Sequence, residues 1–528
     1  MDTDAEAGNQ VAAPASRPAA GRRRGACRIA LWATLVLGAV VRLGLIGLAP
    51  RHSYLWDHID LMVWSDWAYR HGPTALYDLP EHRLINVKLP PYFDSGEAIE
   101  PYPSLNACNY PPLWTYVSWL QGAIWCMLDR EVVTRQARPE IAEFANTAEL
   151  TVTSRVANTF TARLVNAGLP TLADLLMALG VAALVHRLRP GRHFGWGELA
   201  ALALVWLGPP ILLNSVFWTQ MDACPTCPGV WCLYFLVARR RLLAGVSLGI
   251  GLMLKATAVL ILPVLAFAVL AEAFRAGGSL RPALGQWKVA VGAIATIGLI
   301  ALPQMICDRD HPDGPLRWYR RSFQSPLTEQ FQYTTLKAFN LWWLDFLAHG
   351  QEPTALSPAE QSLAGLSRSQ LGYVLLAASV LASAALCAWR WSWREPGWVA
   401  LAFLVALGAF ALPTRVHERY IYYALPPLVA AVMLHRRWLP VLVVLYLVAS
   451  LEMVWFLWLA PPDAAPDSPA QSAAAAGCSG LLAVLTLLSL LYSLAALLPW
   501  RWGRGPAPGE RPPADATRSV PLFSRREV

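Results

Sequence analysis

Charge is scarce in this sequence: 15% of its 528 residues are Asp, Glu, Lys or Arg, where soluble domains carry about a quarter. Together with 55% hydrophobic residues and 24 tryptophans, that scarcity excludes an ordinary soluble domain. Lysine is the scarcer of the two cations, yet the formal net charge is still +8. The arginines behind it are scattered between apolar runs and form no continuous basic face with interleaved stacking aromatics. That excludes nucleic acid as a partner and favours a lipid bilayer. Dense cysteine spacing is missing as well. Nine cysteines are spread through mostly apolar sequence, so a disulfide-stapled secreted domain is excluded and most of them read as packing residues. The pair in Cys224-Pro-Thr-Cys227 has neither a second ligand pair nor a thioredoxin-like βαβ setting, and it reads as packing ahead of a metal or redox role. No internal repeat is visible.

What the sequence does have is long apolar runs. Residues 1–27, rich in Ala, Pro and Arg without an apolar period, read as a disordered cytoplasmic tail. Residues 28–49 follow three arginines, outlast a signal-peptide core and are long enough to span a bilayer, so they read as the first transmembrane helix. Further runs between residues 164 and 498 bring the expectation to about twelve transmembrane helices in an all-α polytopic membrane protein. Arginine clusters mark every second connection: 187–192, 239–241, 275–288, 390–394, 436–437 and 501–504. This positive-inside pattern puts both termini in the cytoplasm. Residues 50–163 then form a long external loop, 164–302 a transmembrane core, 303–370 a second external loop, 371–500 the C-terminal helices and 501–528 a cytoplasmic tail. Residues 110–127 are apolar enough for a span, but counting them as one reverses every later connection. They are expected to form a surface-lying or re-entrant helix in the first loop.

Four constellations fall on the external side of this scheme. Asp57-His58-Ile59-Asp60 precedes an aromatic helical face carrying Trp64 and Trp67, and Asp60 either acts chemically or simply caps that helix. Asn109-Tyr110-Pro111-Pro112 makes a helix start. Gln220-Met221-Asp222 sits in a tight turn between two spans, where a carboxylate beside hydrocarbon is costly unless it faces a wet cavity or a partner. His417-Glu418-Arg419 lies between two later spans, where its cations can donate charged hydrogen bonds to a phosphate. Arg42 and Lys255 are further candidates for phosphate binding, with snorkelling to headgroups as their plainer reading.

These motifs, in this order and on one side, resemble the GT-C membrane glycosyltransferases, most closely the dolichyl-phosphate-glucose glucosyltransferases of lipid-linked oligosaccharide assembly and their bacterial relatives. The resemblance rests on Asp60 seven residues before Trp67, Tyr110-Pro111-Pro112-Leu113 with Tyr116, Asp174 after Leu172-Ala173, Gln220, and His417-Glu418 followed by Arg419. It spans most of residues 28–434. It implies an inverting transfer of a hexose from a polyprenyl-phosphate donor to a lipid-linked or cell-envelope acceptor on the non-cytoplasmic face, without a cofactor. Carried over, Asp60 is the general base, and His417, Arg419, Lys255 and Arg42 hold the donor phosphate. Asp57, Tyr110, Gln220, Asp222 and Glu418 contact substrate.

The sequence departs from the eukaryotic pattern at Asn109, where the family has Asp, at Trp218 in place of His, and at Asp222 in place of Asn. These departures bear on the sugar and acceptor. An acid at position 222 also resembles the second acidic turn of oligosaccharyltransferases, which leaves a divalent metal as a minor alternative. Scarce Lys beside abundant Arg and Ala suits a high-GC bacterial source, hence an inner or plasma membrane and an undecaprenyl-like carrier. The rival reading is a polytopic transporter or lipid flippase. Such a protein is expected to show repeated halves with interrupted helices, whereas the polar residues here gather at one face.

Overall fold

The computed structural model describes residues 18–54, 56–79, 108–129, 159–189, 194–279, 285–326, 333–349, 357–363, 365–459 and 473–498. It is a helical bundle. Helix α1 (Pro18–His52) is followed by α2 (Trp56–His71), α3 (Pro112–Leu128), α4 (Phe160–Leu188) and α5 (Trp196–Trp206). Then come α6 (Ala223–Val237), α7 (Arg241–Leu254), α8 (Leu262–Arg275), α9 (Trp287–Cys307) and α10 (Leu341–His349). A two-stranded hairpin, β1 (Gln361–Leu363) and β2 (Leu366–Ser367), leads to α11 (Arg368–Trp391), α12 (Glu395–Ala411), α13 (Leu425–Leu434), α14 (Leu439–Val454) and α15 (Ala473–Ala495).

Eight helices among the described residues are long and apolar enough to cross a membrane, which makes this a multi-pass membrane protein. Twelve were expected. The shortfall lies in α6, α7, α12 and α13, which form where the sequence predicts them but run to only 15, 14, 17 and 10 residues. Three of these are cut short by polar turns: α6 starts after Asp222, α7 stops before Lys255, and α13 starts after the 3-10 turn Glu418–Ala424. The N-terminal expectation also needs correction. Residues 18–27 belong to α1 and are not a disordered tail; Pro18 suits a first helical turn, and the Ala and Arg that follow favour helix.

Glycines set the closest approaches. Along α7 and α9, a Cβ on Gly245 meets the Val289 carbonyl oxygen at 2.1 Å, one on Gly292 meets that of Leu242 at 2.5 Å, and one on Gly249, a turn further along α7, meets Thr296 Cβ at 2.7 Å, a turn or more further along α9. The two helices therefore touch backbone to backbone, run parallel and begin at the same end of the bundle. In the first loop, α3 lies along α2 with Gly122 against Ser65, whose carbonyl oxygen is 2.2 Å from a Cβ placed there. Helix α3 turns Leu120, Ile124, Met127 and Leu128 outward, an apolar stripe suited to lipid.

The connections sort to two ends. At one, Arg239 and Arg275 share Glu395 at 2.6 and 3.2 Å, and Arg390 reaches His435 at 3.4 Å. These are connections rich in arginine. At the other end, about 21 Å along α7 at 1.5 Å per residue, α2 and the polar turns after residues 217, 254 and 411 converge. The second loop is tied into this end: Leu336 N donates to Val416 O at 3.0 Å, Arg415 N to Thr334 O at 3.0 Å, and Phe339 N to Glu452 Oε1 at 2.6 Å.

Candidate active site

Asp222 is the centre of the polar end. It precedes the first turn of α6, is fully buried, and accepts from Lys255 Nζ at 2.6 Å, Tyr423 Oη at 2.5 Å and Asn214 Nδ2 at 3.2 Å, with Arg419 Nε at 3.6 Å. Burial alone raises the value of this carboxyl, but the Lys255 ammonium and the Arg419 guanidinium outweigh it and hold Asp222 below the usual carboxylate range. Lys255 also stands over the rings of Tyr110 and Tyr420, 5.4 and 5.1 Å from their centroids. A buried ion pair of this kind persists only where such extra partners offset desolvation.

Beside it, Asp57 in the first turn of α2 accepts at Oδ2 from Gln220 Nε2 at 2.6 Å and Trp218 Nε1 at 2.9 Å. Trp218 stacks on Phe456 with centroids 4.4 Å apart, and the Arg419 guanidinium lies 5.5 Å from its ring centroid. Arg419 donates to Glu418 Oε1 at 2.9 Å. Burial raises Glu418 to about 7 despite that neighbour. Three residues other than glycine with left-handed backbone gather here: Thr219 at φ 63, Lys337 at φ 60 and Arg415 at φ 62. A β-branched residue in that region is strained, and strain of this kind concentrates where surrounding structure fixes a functional geometry.

The structure thus brings Asp57, Tyr110, Gln220, Asp222, Lys255, Glu418 and Arg419 into one cluster, with His417 beside Tyr420 at a ring separation of 5.1 Å. Asp60 lies one turn further along α2 and is 7% exposed. Arg42 donates to Asp174 at 3.0 Å and to Trp206 O at 2.7 Å while its guanidinium lies 3.4 Å from the Trp206 ring centroid. Asp174 takes two further bonds from Ser215 and Tyr422, so Arg42 is held in a buried network and does not snorkel, although its Nε is buried without a hydrogen-bond partner. Burial, then Arg419 and Lys255, push the His417 imidazole well below its ordinary value.

Sequence reasoning missed Asn214, Tyr423 and the left-handed turn at Thr219. Tyr420, Tyr422 and Tyr423 follow the basic motif directly, and three phenols at the foot of an apolar span are a readable polar signal. Asn214 lies inside an apolar run and gives none. Beyond Tyr423 an apolar cavity of about 70 Å³ is lined by Val230, Leu233, Ala402 and Ala406. Cys224 and Cys227 are buried in α6, and among the described residues no three His, Cys, Asp or Glu side chains form a group that could hold a metal ion. No protein-family model matches this sequence, and no curated protein matches it.

Proposed function

We propose that this protein is an inverting glycosyltransferase that moves a hexose from a polyprenyl-phosphate donor to a lipid-linked or envelope acceptor at the non-cytoplasmic membrane surface. The observation that carries the reading is the gathering of Lys255 and Arg419, which flank Asp222, with the Asp57 carboxylate at the head of α2, held by Trp218 and Gln220, in one aromatic-walled cluster at one end of a membrane bundle. In the proposed mechanism the two cations balance the phosphate charge that builds as the glycosidic bond breaks. The general base is an acid of α2. Asp57 suits this role better than Asp60, because Gln220 and Trp218 orient it and it is only half-buried, as a base that must reach an acceptor hydroxyl requires. The apolar cavity behind Tyr423 offers room for part of the lipid carrier.

The test is an assay of the purified protein against a panel of polyprenyl-phosphate sugars. Consumption of one donor with release of polyprenyl phosphate supports transferase chemistry. Movement of lipid between leaflets with every donor chemically intact points instead to a transporter. Within the active enzyme, Asp57→Asn is expected to stop transfer while donor binding persists; an active Asp57→Asn beside an inactive Asp60→Asn assigns the base to Asp60.

A further inference from the structure

At the opposite end of the bundle the dipoles of two helices, α7 and α9, are uncompensated. Helices α7 and α9 run parallel and begin side by side, and neither has an acidic residue in its first turn. Helix N-termini carry partial positive charge and ordinarily attract Asp or Glu. Here they carry Arg241 and Lys288, with Arg240 one position before α7. Glu272 and Glu395 do not answer all of this charge. Arg239 and Arg241 both pair with Glu272, Arg241 at 2.8 Å, and Arg239 and Arg275 pair with Glu395. Arg240 and Lys288 are exposed, and their side chains have no ion-pair partner among the described residues.

These groups line a concavity of about 330 Å³ formed by Arg239, Arg240, Arg241, Leu242, Leu243 and Lys288. Its apolar flank is turned outward: Leu242 is 51% exposed, and the neighbouring Trp287 is 59% exposed. We propose that this concavity is a binding site for the phosphate of an anionic phospholipid. The two unpaired cations and the first free N–H groups of α7 and α9 hold the headgroup oxygens, while Leu242, Leu243 and Trp287 take the upper acyl chains. A free phosphate shares the headgroup chemistry but leaves the apolar flank unused, so the commitment is to the lipid. The site is independent of the proposed transferase chemistry at the other end of α7.

The experiment uses the full-length protein in phosphatidylcholine nanodiscs containing a minority of phosphatidylglycerol, with retained lipid counted by native mass spectrometry after extraction. Wild type is expected to retain phosphatidylglycerol in preference to phosphatidylcholine. Arg240→Ala with Lys288→Ala is expected to lower that preference by more than tenfold, about fivefold for each cation lost near a surface. Because both residues are exposed, the fold is expected to survive, and Arg240→Lys with Lys288→Arg, which keeps the charge, is expected to keep the preference. Equal retention in wild type and the alanine variant overturns the site. So does inorganic phosphate, added without phosphatidylglycerol, giving the same thermal stabilisation as the lipid.

Discussion

The Asp222–Lys255 pair shows what single side chains contribute at the polar end. Removing one partner of a buried pair leaves an uncompensated charge, so Lys255→Met is expected to destabilise the protein by about 3–5 kcal/mol, measured as a fall in unfolding temperature. Adding Asp222→Asn removes the orphaned charge and is expected to restore most of the stability. Donor binding is expected to stay lost, because the cation is gone in both variants. Restored binding in the double variant removes Lys255 from the proposed phosphate site. Glu418 gives a pH signature. Its folded-state value of about 7 lies above the ordinary carboxylate value, so the stability it contributes is complete in acid and lost as pH rises through about 7. The same proton controls Arg419: above that pH an ionised Glu418 competes with a donor phosphate for the guanidinium. Donor affinity is expected to strengthen as pH falls through that range, and Glu418→Gln is expected to flatten the profile. An unchanged profile in that variant assigns the titration elsewhere.

Helices are where reading from sequence succeeded and where its reach ended. Apolar runs long enough to span are visible in composition alone, and the interiors of α4, α9, α11 and α15 fall where they were expected. The first and last turns were harder to see: α1 begins ten residues early because Ala and Arg prolong it without any apolar period. The polar cluster was legible wherever a charged residue interrupts an apolar stretch, as Asp222, Lys255 and Arg419 do. The placement of Arg42 was not, because its partner Asp174 is 132 residues away and only packing reveals the pair. Glycine contacts were equally hidden, since Gly245 and Gly292 face each other's helices only once α7 and α9 pack. With the Val289 carbonyl 2.1 Å from a Cβ at position 245, Gly245→Val is expected to cost about 1–3 kcal/mol by forcing the helices apart. Gly229, which has open space around it, is the control: Gly229→Ala is expected to leave the unfolding midpoint unchanged or slightly raised.

Across the whole molecule, two polar assemblies sit at opposite ends of the same helices, and their compositions differ. The end bearing Asp57, Asp222 and Glu418 balances acids against Lys255 and Arg419 within buried contacts. The end bearing Arg239, Arg240, Arg241 and Arg275 carries an excess of cations toward solvent and lipid, with two glutamates between them. A membrane distinguishes such ends, because basic connections stay on the side of synthesis. On that rule the arginine-rich end is proposed to face the cytoplasm and the acid-bearing end the outer surface. Single cysteines test this in a background with the native cysteines replaced. A cysteine at Ser53, half-buried at the end of α1, is expected to react with an impermeant maleimide in intact cells. One at Arg240 is expected to react only after permeabilisation. Reaction of the Arg240 position in intact cells reverses the orientation and places the proposed transferase site in the cytoplasm, where the donor sugar has to be presented on the inner leaflet.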